Sequence, residues 1–354
     1  TRVMLEMIGE PAAVALAGLF GGILLGLASR LGRFCTLGAI EDAIYASDTR
    51  RIRMWGVAIG VAIIGSFGAM GAGLVQADQT LYLAQAWNPL ASVLGGLVFG
   101  YGMALAGNCG FGALARFGGG DLRAFVIVLV MGIASFAVLS GPFAQLRVTL
   151  FPPVPVTGTL PGFAHMIGDQ MGVSPVAPAF VIGGLILVLA LASREMLQSR
   201  DHVIWGAIVG VAIVTGWVGT SWVAENGFES IAIVSHTFSR PLGDTMLYVM
   251  TSSGRSLSFG VGSVAGVIAG AFAGSVIKGH FRWEACEDPR ELRRQITGAI
   301  LMGVGAVVAL GCTVGQGLSA FSVLAFSAPV TMAAVFAGTA IGLKQLITGF
   351  MPAE

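Results

Sequence analysis

The sequence predicts an all-α polytopic membrane protein, and three observations carry that prediction. Hydrophobic residues make up 55% of the chain against 10% charged, and a mean hydropathy of +0.86 excludes an ordinary soluble domain. Nine apolar runs are long enough to span a bilayer, near 11–31, 52–76, 90–106, 121–143, 177–193, 203–223, 257–277, 294–310 and 327–349. The 53 glycines stand far above the usual share of about 7%, an excess that in a membrane protein signals close helix packing and interrupted helices.

The charges between the runs give an orientation. Arg50, Arg51 and Arg53 precede the second run, and Arg116 and Arg123 lie between the third and fourth. Arg194 and Arg200 follow the fifth, and Lys278, Arg282, Arg290, Arg293 and Arg294 separate the seventh from the eighth. The positive-inside rule makes these connections cytoplasmic, which puts the N-terminus outside and the C-terminus in the cytoplasm. The intervening loops agree, since 77–89 carries Asp78 without Lys or Arg and the Pro-rich 144–176 carries only Arg147. Thr1 to Glu10 has no basic region ahead of the first run and does not read as a cleavable signal. A net charge of +1 gives no reason to expect a nucleic-acid partner; the partner that composition implies is the lipid bilayer. Four cysteines without a CxxC pair or zinc-type spacing provide neither a disulfide framework nor a metal site. No ATP, flavin or quinone signature is present, so no cofactor is expected.

Individual thiols remain to be explained, and three of them share a frame. Cys35-Thr36-Leu37-Gly38, Cys109-Gly110-Phe111-Gly112 and Cys312-Thr313-Val314-Gly315 all read C-x-x-G. Gly21 and Gly26, Gly95 and Gly100, and Gly298 and Gly303 lie 14 and 9 residues before the respective cysteines. A lone cysteine in an apolar helix behaves as a small hydrophobe, but a tripled frame of small-residue helix, break, cysteine and glycine points to function.

The segments Cys35–Tyr45, Cys109–Phe117 and Cys312–Ala325 are too short to span and too apolar to be solvent loops, so they are expected to be re-entrant. Irregular backbone survives at membrane depth only where protein or a water-filled cavity covers it. The first two enter from the cytoplasmic side and the third from outside. That opposition predicts one transport domain over 1–354, built of inverted halves 1–145 and 203–354, with 146–202 as a connector holding one span. Cys109 follows Cys35 by 74 residues, and the same step back from Cys312 falls on Phe238. There Ser235-His236-Thr237-Phe238-Ser239-Arg240-Pro241-Leu242-Gly243-Asp244 forms a polar fourth unit without a cysteine.

Thiols held at the starts of short helices suit an anion, because helix N-termini present free N–H groups and the positive end of the dipole. A neutral S–H is a weak donor and sulfur a polarizable acceptor, so a thiol holds a sulfur-bearing ion softly and releases it. Weak successive sites suit conduction, whereas a fixed Arg would retain a dianion and a thiolate would repel it. The candidate substrate-contacting residues are therefore Cys35, Cys109 and Cys312, with their neighbours Asn108, Gly110, Thr313 and Gln316 and, from the fourth unit, Thr237. Cys286, in the charged stretch Trp283-Glu284-Ala285-Cys286-Glu287-Asp288, lacks the frame and reads as incidental. Glu41 and Asp42 read as pathway carboxylates or a solvated helix end, and Lys344 as an intramembrane charge or a snorkelling one. Gly118-Gly119-Gly120-Asp121 lacks the lysine of a phosphate loop and reads as a turn in which Asp121 caps the next helix. Arg33 and Arg116 flank the first two units, as topology markers or as attractors of anions.

Three stretches resemble the signatures of the YeeE/YedE sulfur-transport family. They are Arg33-Phe34-Cys35-Thr36-Leu37-Gly38-Ala39-Ile40-Glu41-Asp42, then Asn108-Cys109-Gly110 with Leu114-Ala115-Arg116-Phe117-Gly118-Gly119-Gly120-Asp121-Leu122-Arg123, and Gly311-Cys312-Thr313-Val314-Gly315-Gln316-Gly317-Leu318-Ser319. Thr237-Phe238-Ser239-Arg240-Pro241-Leu242-Gly243-Asp244 is similar to the family's fourth loop. The resemblance implies an importer of thiosulfate in the cell inner membrane, shaped as an hourglass, in which loop helices meet at the middle and cysteines pass the ion along by S–H···S contacts. It also implies a small cytoplasmic sulfurtransferase of the TusA type as partner. The family's cysteines fall on Cys35, Cys109 and Cys312. The second unit departs from many relatives, with Gly-Phe-Gly-Ala where they carry a polar or basic residue. Two alternatives stay open: a permease for another sulfur or selenium anion, and a membrane thiol or persulfide sulfurtransferase.

Overall fold

A computed structural model describes residues 5, 7–152, 154, 156, 158–285 and 288–349; Cys286 and residues 1–4 lie outside the described residues. Each apolar run of the sequence contains a helix. Glu10–Leu31 (α1) leads into the short Thr36–Glu41 (α2), which continues as a π-helical turn over Asp42–Ala46, and then Arg50–Gly71 (α3). Pro89–Ala106 (α4), Gly110–Gly118 (α5) and Leu122–Leu139 (α6) repeat that long-short-long order. Ala144–Leu150 (α7), Phe163–Met171 (α8), Val176–Leu191 (α9) and Arg194–Gln198 (α10) follow. The last part of the chain runs Arg200–Asn226 (α11), Arg240–Thr251 (α12), Phe259–Ile277 (α13), Pro289–Val308 (α14), a π-helix over Gly315–Ala320, and Ser327–Thr348 (α15). Among the described residues the only pairings of β type are isolated bridges, Thr80 with Ile233, Asp121 with Glu284 and Gly162 with Ala325.

Among the described residues seven segments are long and apolar enough to cross a membrane: α1, α3, α4 together with α5, α6, α11, α13 and α15. Of the two other expected spans, α9 is apolar but only 16 residues long, and α14 opens with Arg290, Glu291, Arg293 and Arg294. The chain is thus a multi-pass membrane protein. The connector also differs from expectation, because part of its Pro-rich loop folds into α7 and α8.

Side-chain caps fix where the long helices start. The Asn88 side chain accepts from Ala91 N (3.1 Å) with Pro89 in the first turn of α4, and Asp121 accepts from Arg123 N (3.0 Å) and Ala124 N (3.3 Å) at α6. Ser258 and Asp288 do the same for α13 and α14. Each cap satisfies N–H groups the helix itself cannot use. Just ahead of α3, Asp48 accepts from the Arg50 side chain and from its backbone N–H, and these bonds hold its carboxyl at about 2.

The long helices pack mainly across the sequence. α1 lies against α13 and α11, and α3 against α11 and α9; α4 lies against α14 and α15, and α6 against α14. Glycine makes the closest of these contacts. Gly18, Gly22 and Gly26 of α1 face Gly262, Gly266 and Gly270 of α13, and a Cβ on Gly262 would fall on the Ala15 carbonyl. Lipid chains are as apolar as leucine, so close van der Waals approach of small residues, rather than exclusion from water, holds such pairs together. The side chains left inside, including Phe34, Phe99, Phe111, Trp217 and Phe238, form one main buried cluster that surrounds the cysteines.

This contact gives a paired test. Gly262→Leu should destabilise the protein by about 1–3 kcal/mol or more by overpacking, read as a lowered Tm in detergent. Gly184→Leu, placed where nothing lies within 4 Å, should leave Tm unchanged.

Candidate functional site

The three cysteine units share a backbone design that begins two residues before the thiol. Arg33 (φ 57°), Gly107 (φ 76°) and Leu310 (φ 57°) all adopt the left-handed region there and end the preceding helix. Glycine takes that conformation freely, but a side-chain-bearing residue pays about 1–2 kcal/mol for it. That Arg33 and Leu310 hold it shows that the surroundings impose the break. Each cysteine then opens a short helix. Cys35 precedes α2, Cys109 precedes α5, and Cys312 precedes a helical segment from Thr313 that widens into the π-helix. Their carbonyls accept from Ala39 N (3.1 Å), Ala113 N (2.8 Å) and Gln316 N (2.8 Å), the first helical bonds of each unit.

All three are free thiols, with Cys109 and Cys312 buried and Cys35 half-buried. The fold gathers them in one region, with Cys109 and Cys312 in the same buried cluster and Cys35 packed against it. Their sulfur atoms are held differently. Cys312 Sγ accepts from Phe238 N (3.2 Å) and Gly315 N (3.5 Å), with Thr237 Oγ1 at 3.8 Å. Cys109 Sγ accepts from Gly112 N (3.4 Å), and the Cys35 side chain makes no such cap. Backbone N–H groups therefore point at two of the sulfurs, an arrangement that polarises sulfur and favours negative charge nearby.

The remaining expected residues fall around this cluster in distinct ways. Thr237 reaches Cys312 from the fourth unit, the segment between α11 and α12, whose Phe238 ring lies 5.3 Å from Phe111 of α5. Gly110 sits under the Phe238 carbonyl and Met131, where a Cβ would come within 3.0 Å of the carbonyl oxygen and 2.7 Å of the sulfur. Asn108 is buried, and its Oδ1 has no partner among the described residues. Thr313 is also buried; its hydroxyl lies beside the Cys109 thiol without reaching hydrogen-bond geometry, so that oxygen too is unpartnered. Gln316 is engaged at both ends, donating to the Ala309 carbonyl (2.7 Å) and accepting from Ser327 Oγ (3.0 Å).

Several residues join the cluster without a sequence signal. Tyr82 comes from the loop between α3 and α4, and its hydroxyl lies over Gly315, Gly311 and Thr237. Nothing in a loop sequence marks a side chain that turns inward. A polar relay braces the fourth unit: Ser319 Oγ donates to the His236 carbonyl (2.6 Å), Ser322 Oγ to the Ser319 carbonyl (2.7 Å), and Trp217 Nε1 to Ser322 Oγ (2.8 Å). The His236 ring meets Ser263 Oγ at 2.7 Å.

Other candidates lie elsewhere. Asp42 pairs with Arg51 (3.1 Å), Asp121 caps α6 as the sequence indicates, and Lys344 is exposed in the last turns of α15. Arg33 and Arg116 are both exposed, and the Arg116 carbonyl accepts from Arg30 Nη2 (3.4 Å). Among the described residues no group of His, Cys, Asp or Glu could hold a metal ion.

The site therefore consists of thiols, hydroxyls, two side-chain amides and backbone N–H groups, without a fixed charge among the described residues that form it. Comparison with known proteins agrees with that chemistry. Two relatives are each named thiosulfate transporter TsuA. The protein from Escherichia coli strain K12 is 25% identical over 329 residues, covering 86% of this chain and 87% of the relative. The protein from Spirochaeta thermophila is 27% identical over 320 residues, covering 88% of this chain and 92% of the relative. The profile of the sulphur transport family matches residues 30–341, which include all three cysteine units and the fourth, and the chain belongs to that family.

Proposed function

We propose that the protein is an inner-membrane permease that imports thiosulfate along a path lined by Cys35, Cys109 and Cys312. The observation that carries this reading is three free thiols, each at the start of a short helix, two of them in one buried cluster and Cys35 packed against it. The names of the two relatives favour thiosulfate among sulfur anions. The helix starts attract the ion, and the neutral thiols pass its terminal sulfur along by S–H···S contacts. Asn108, Gly110, Thr313, Gln316 and Thr237 complete the stations.

The architecture in this reading is nine spans arranged as inverted halves, 1–145 and 203–354, with 146–202 as connector. The packing pattern supports it. If α1 to α6 correspond in order to α11, α12, α13, α14, the π-helical unit and α15, the α1–α13 contact becomes α11–α3 and the α4–α15 contact becomes α14–α6. Both members of each pair are present. The N-terminus is then outside and the C-terminus cytoplasmic, and a TusA-type sulfurtransferase collects the ion on the cytoplasmic side.

Uptake of labelled thiosulfate into inside-closed vesicles should fall at least about tenfold on Cys109→Ala or Cys312→Ala, the loss of a station being worth about 1.4 kcal/mol or more. Cys286→Ala should leave it unchanged; normal uptake by both Ala variants of the path would end the relay idea. Orientation is checked separately by labelling engineered single cysteines in intact cells. Asp169→Cys, exposed in the last turn of α8, should react with an impermeant maleimide from outside, and Asp201→Cys, exposed at the start of α11, only after permeabilisation. The reverse pattern would invert the topology.

A further inference from the structure

The cysteine cluster contains an uneven feature: each unit buries one polar side-chain atom without a partner, always on a residue adjacent to the thiol. These atoms are Thr36 Oγ1 after Cys35, Asn108 Oδ1 before Cys109, and Thr313 Oγ1 after Cys312. The three residues are 3%, 2% and 0% exposed, so bulk water does not serve them. Neighbouring polar groups are treated otherwise. Ser319, Ser322, Ser235 and Thr220 all donate to backbone carbonyls at 2.6–2.9 Å. The fold can therefore satisfy buried hydroxyls; Ser66, Ser221 and Thr331 are left open as single cases, whereas the open atoms beside the thiols recur once in each cysteine unit. A buried orphan costs stability and calls for a group that is absent when the site is empty.

Resting on the proposed thiosulfate path, we infer that each station is bipartite and that Thr36 is the polar half of the Cys35 station. The thiol meets the terminal sulfur of the ion, and the adjacent neutral hydroxyl or amide meets the sulfonyl oxygens. The ligand class that satisfies both halves is an oxyanion bearing a terminal sulfur. A simple oxyanion leaves the thiol with a hard oxygen, and a bare sulfide leaves the orphan unpaired. Neutral partners also hold the oxygens without the grip of a fixed cation, as passage requires. Thr36 sits at the first helical position after Cys35, with no competing acceptor for its hydroxyl, and Thr313 does the same after Cys312 while facing the thiol of Cys109. The Cys312 and Cys109 stations are thus chained, the polar half of the first lying beside the thiol of the second.

The test compares Thr36→Val, which keeps the shape and removes the hydroxyl, with Thr36→Ser, which keeps the hydroxyl. Purified protein in liposomes is offered thiosulfate, sulfite, sulfate and selenite. Thr36→Val should lower thiosulfate uptake about tenfold, the typical cost of one hydrogen bond to an ion, while Thr36→Ser stays within about twofold of the parent. The Tm of Thr36→Val without substrate should hold or rise, since the hydroxyl it removes has no partner. Parent-like uptake by Thr36→Val, equal loss in Thr36→Ser, or a fall in the Tm of Thr36→Val would each overturn the inference. A parent protein that carries only one of the other anions would instead refute the thiosulfate reading. The Val and Ser comparison on that anion would then decide the role of Thr36 independently.

Discussion

The site depends on three reversals of backbone direction at Arg33, Gly107 and Leu310. Without the one at Gly107, Pro89–Gly118 would run on as a single apolar helix of 30 residues, with Cys109 as one more side chain on its flank. The left-handed residue ends the first helix, one residue redirects the chain, and the cysteine starts a second helix with its own free N–H groups. Those N–H groups then have nowhere to bond except the sulfur atoms and whatever enters the cluster. A thiol in mid-helix has no such surroundings, because every N–H around it is already spent on a carbonyl one turn back.

The reversals need support, and the packing supplies it from both ends of the chain. Phe34 stacks on Trp55 at 4.6 Å, and Trp55 in turn lies against Gly317 of the π-helix. Phe111 meets Phe238 at 5.3 Å, and Phe238 donates its N–H to Cys312. Each thiol unit is thus braced by an aromatic contact to an element distant in sequence. The widened helix at Gly315–Ala320 belongs to the same region, consistent with the tendency of π-helical turns to occur at functional sites.

Much of this was legible in the sequence where a short-range rule decides the outcome. Seven of the nine expected spans followed from hydropathy, and the cap at Asp121 from residue type and position. The cysteine frame followed from glycine spacing, and the fourth unit from a 74-residue step onto Phe238. Gly107 announced its break, but Arg33 and Leu310 did not, because non-glycine residues reach the left-handed region only under tertiary constraint. Tyr82 was invisible for a related reason, as its loop reads as a surface connection until the bridge from Thr80 to Ile233 draws it inward. The helices α7 and α8 also escaped notice, since they are short, and local propensity in a Pro-rich stretch does not declare them. Gln316 was recognised as part of the site, but only the structure reveals that Ala309 and Ser327 already occupy its amide.

The glycine seam between α1 and α13 has a consequence for how the protein is made. Helix α1 leaves the ribosome well before α13, the helix against which its Gly18, Gly22 and Gly26 pack, because α2 to α12 separate the two in sequence. Until then its small-residue face rests against lipid or against a temporary neighbour, and the break at Arg33 lacks the elements that hold it. Membrane insertion and final assembly are therefore separate stages for this chain. The thiol cluster comes into being only at the second, when α13 and the Cys312 unit pack against the helices made before them.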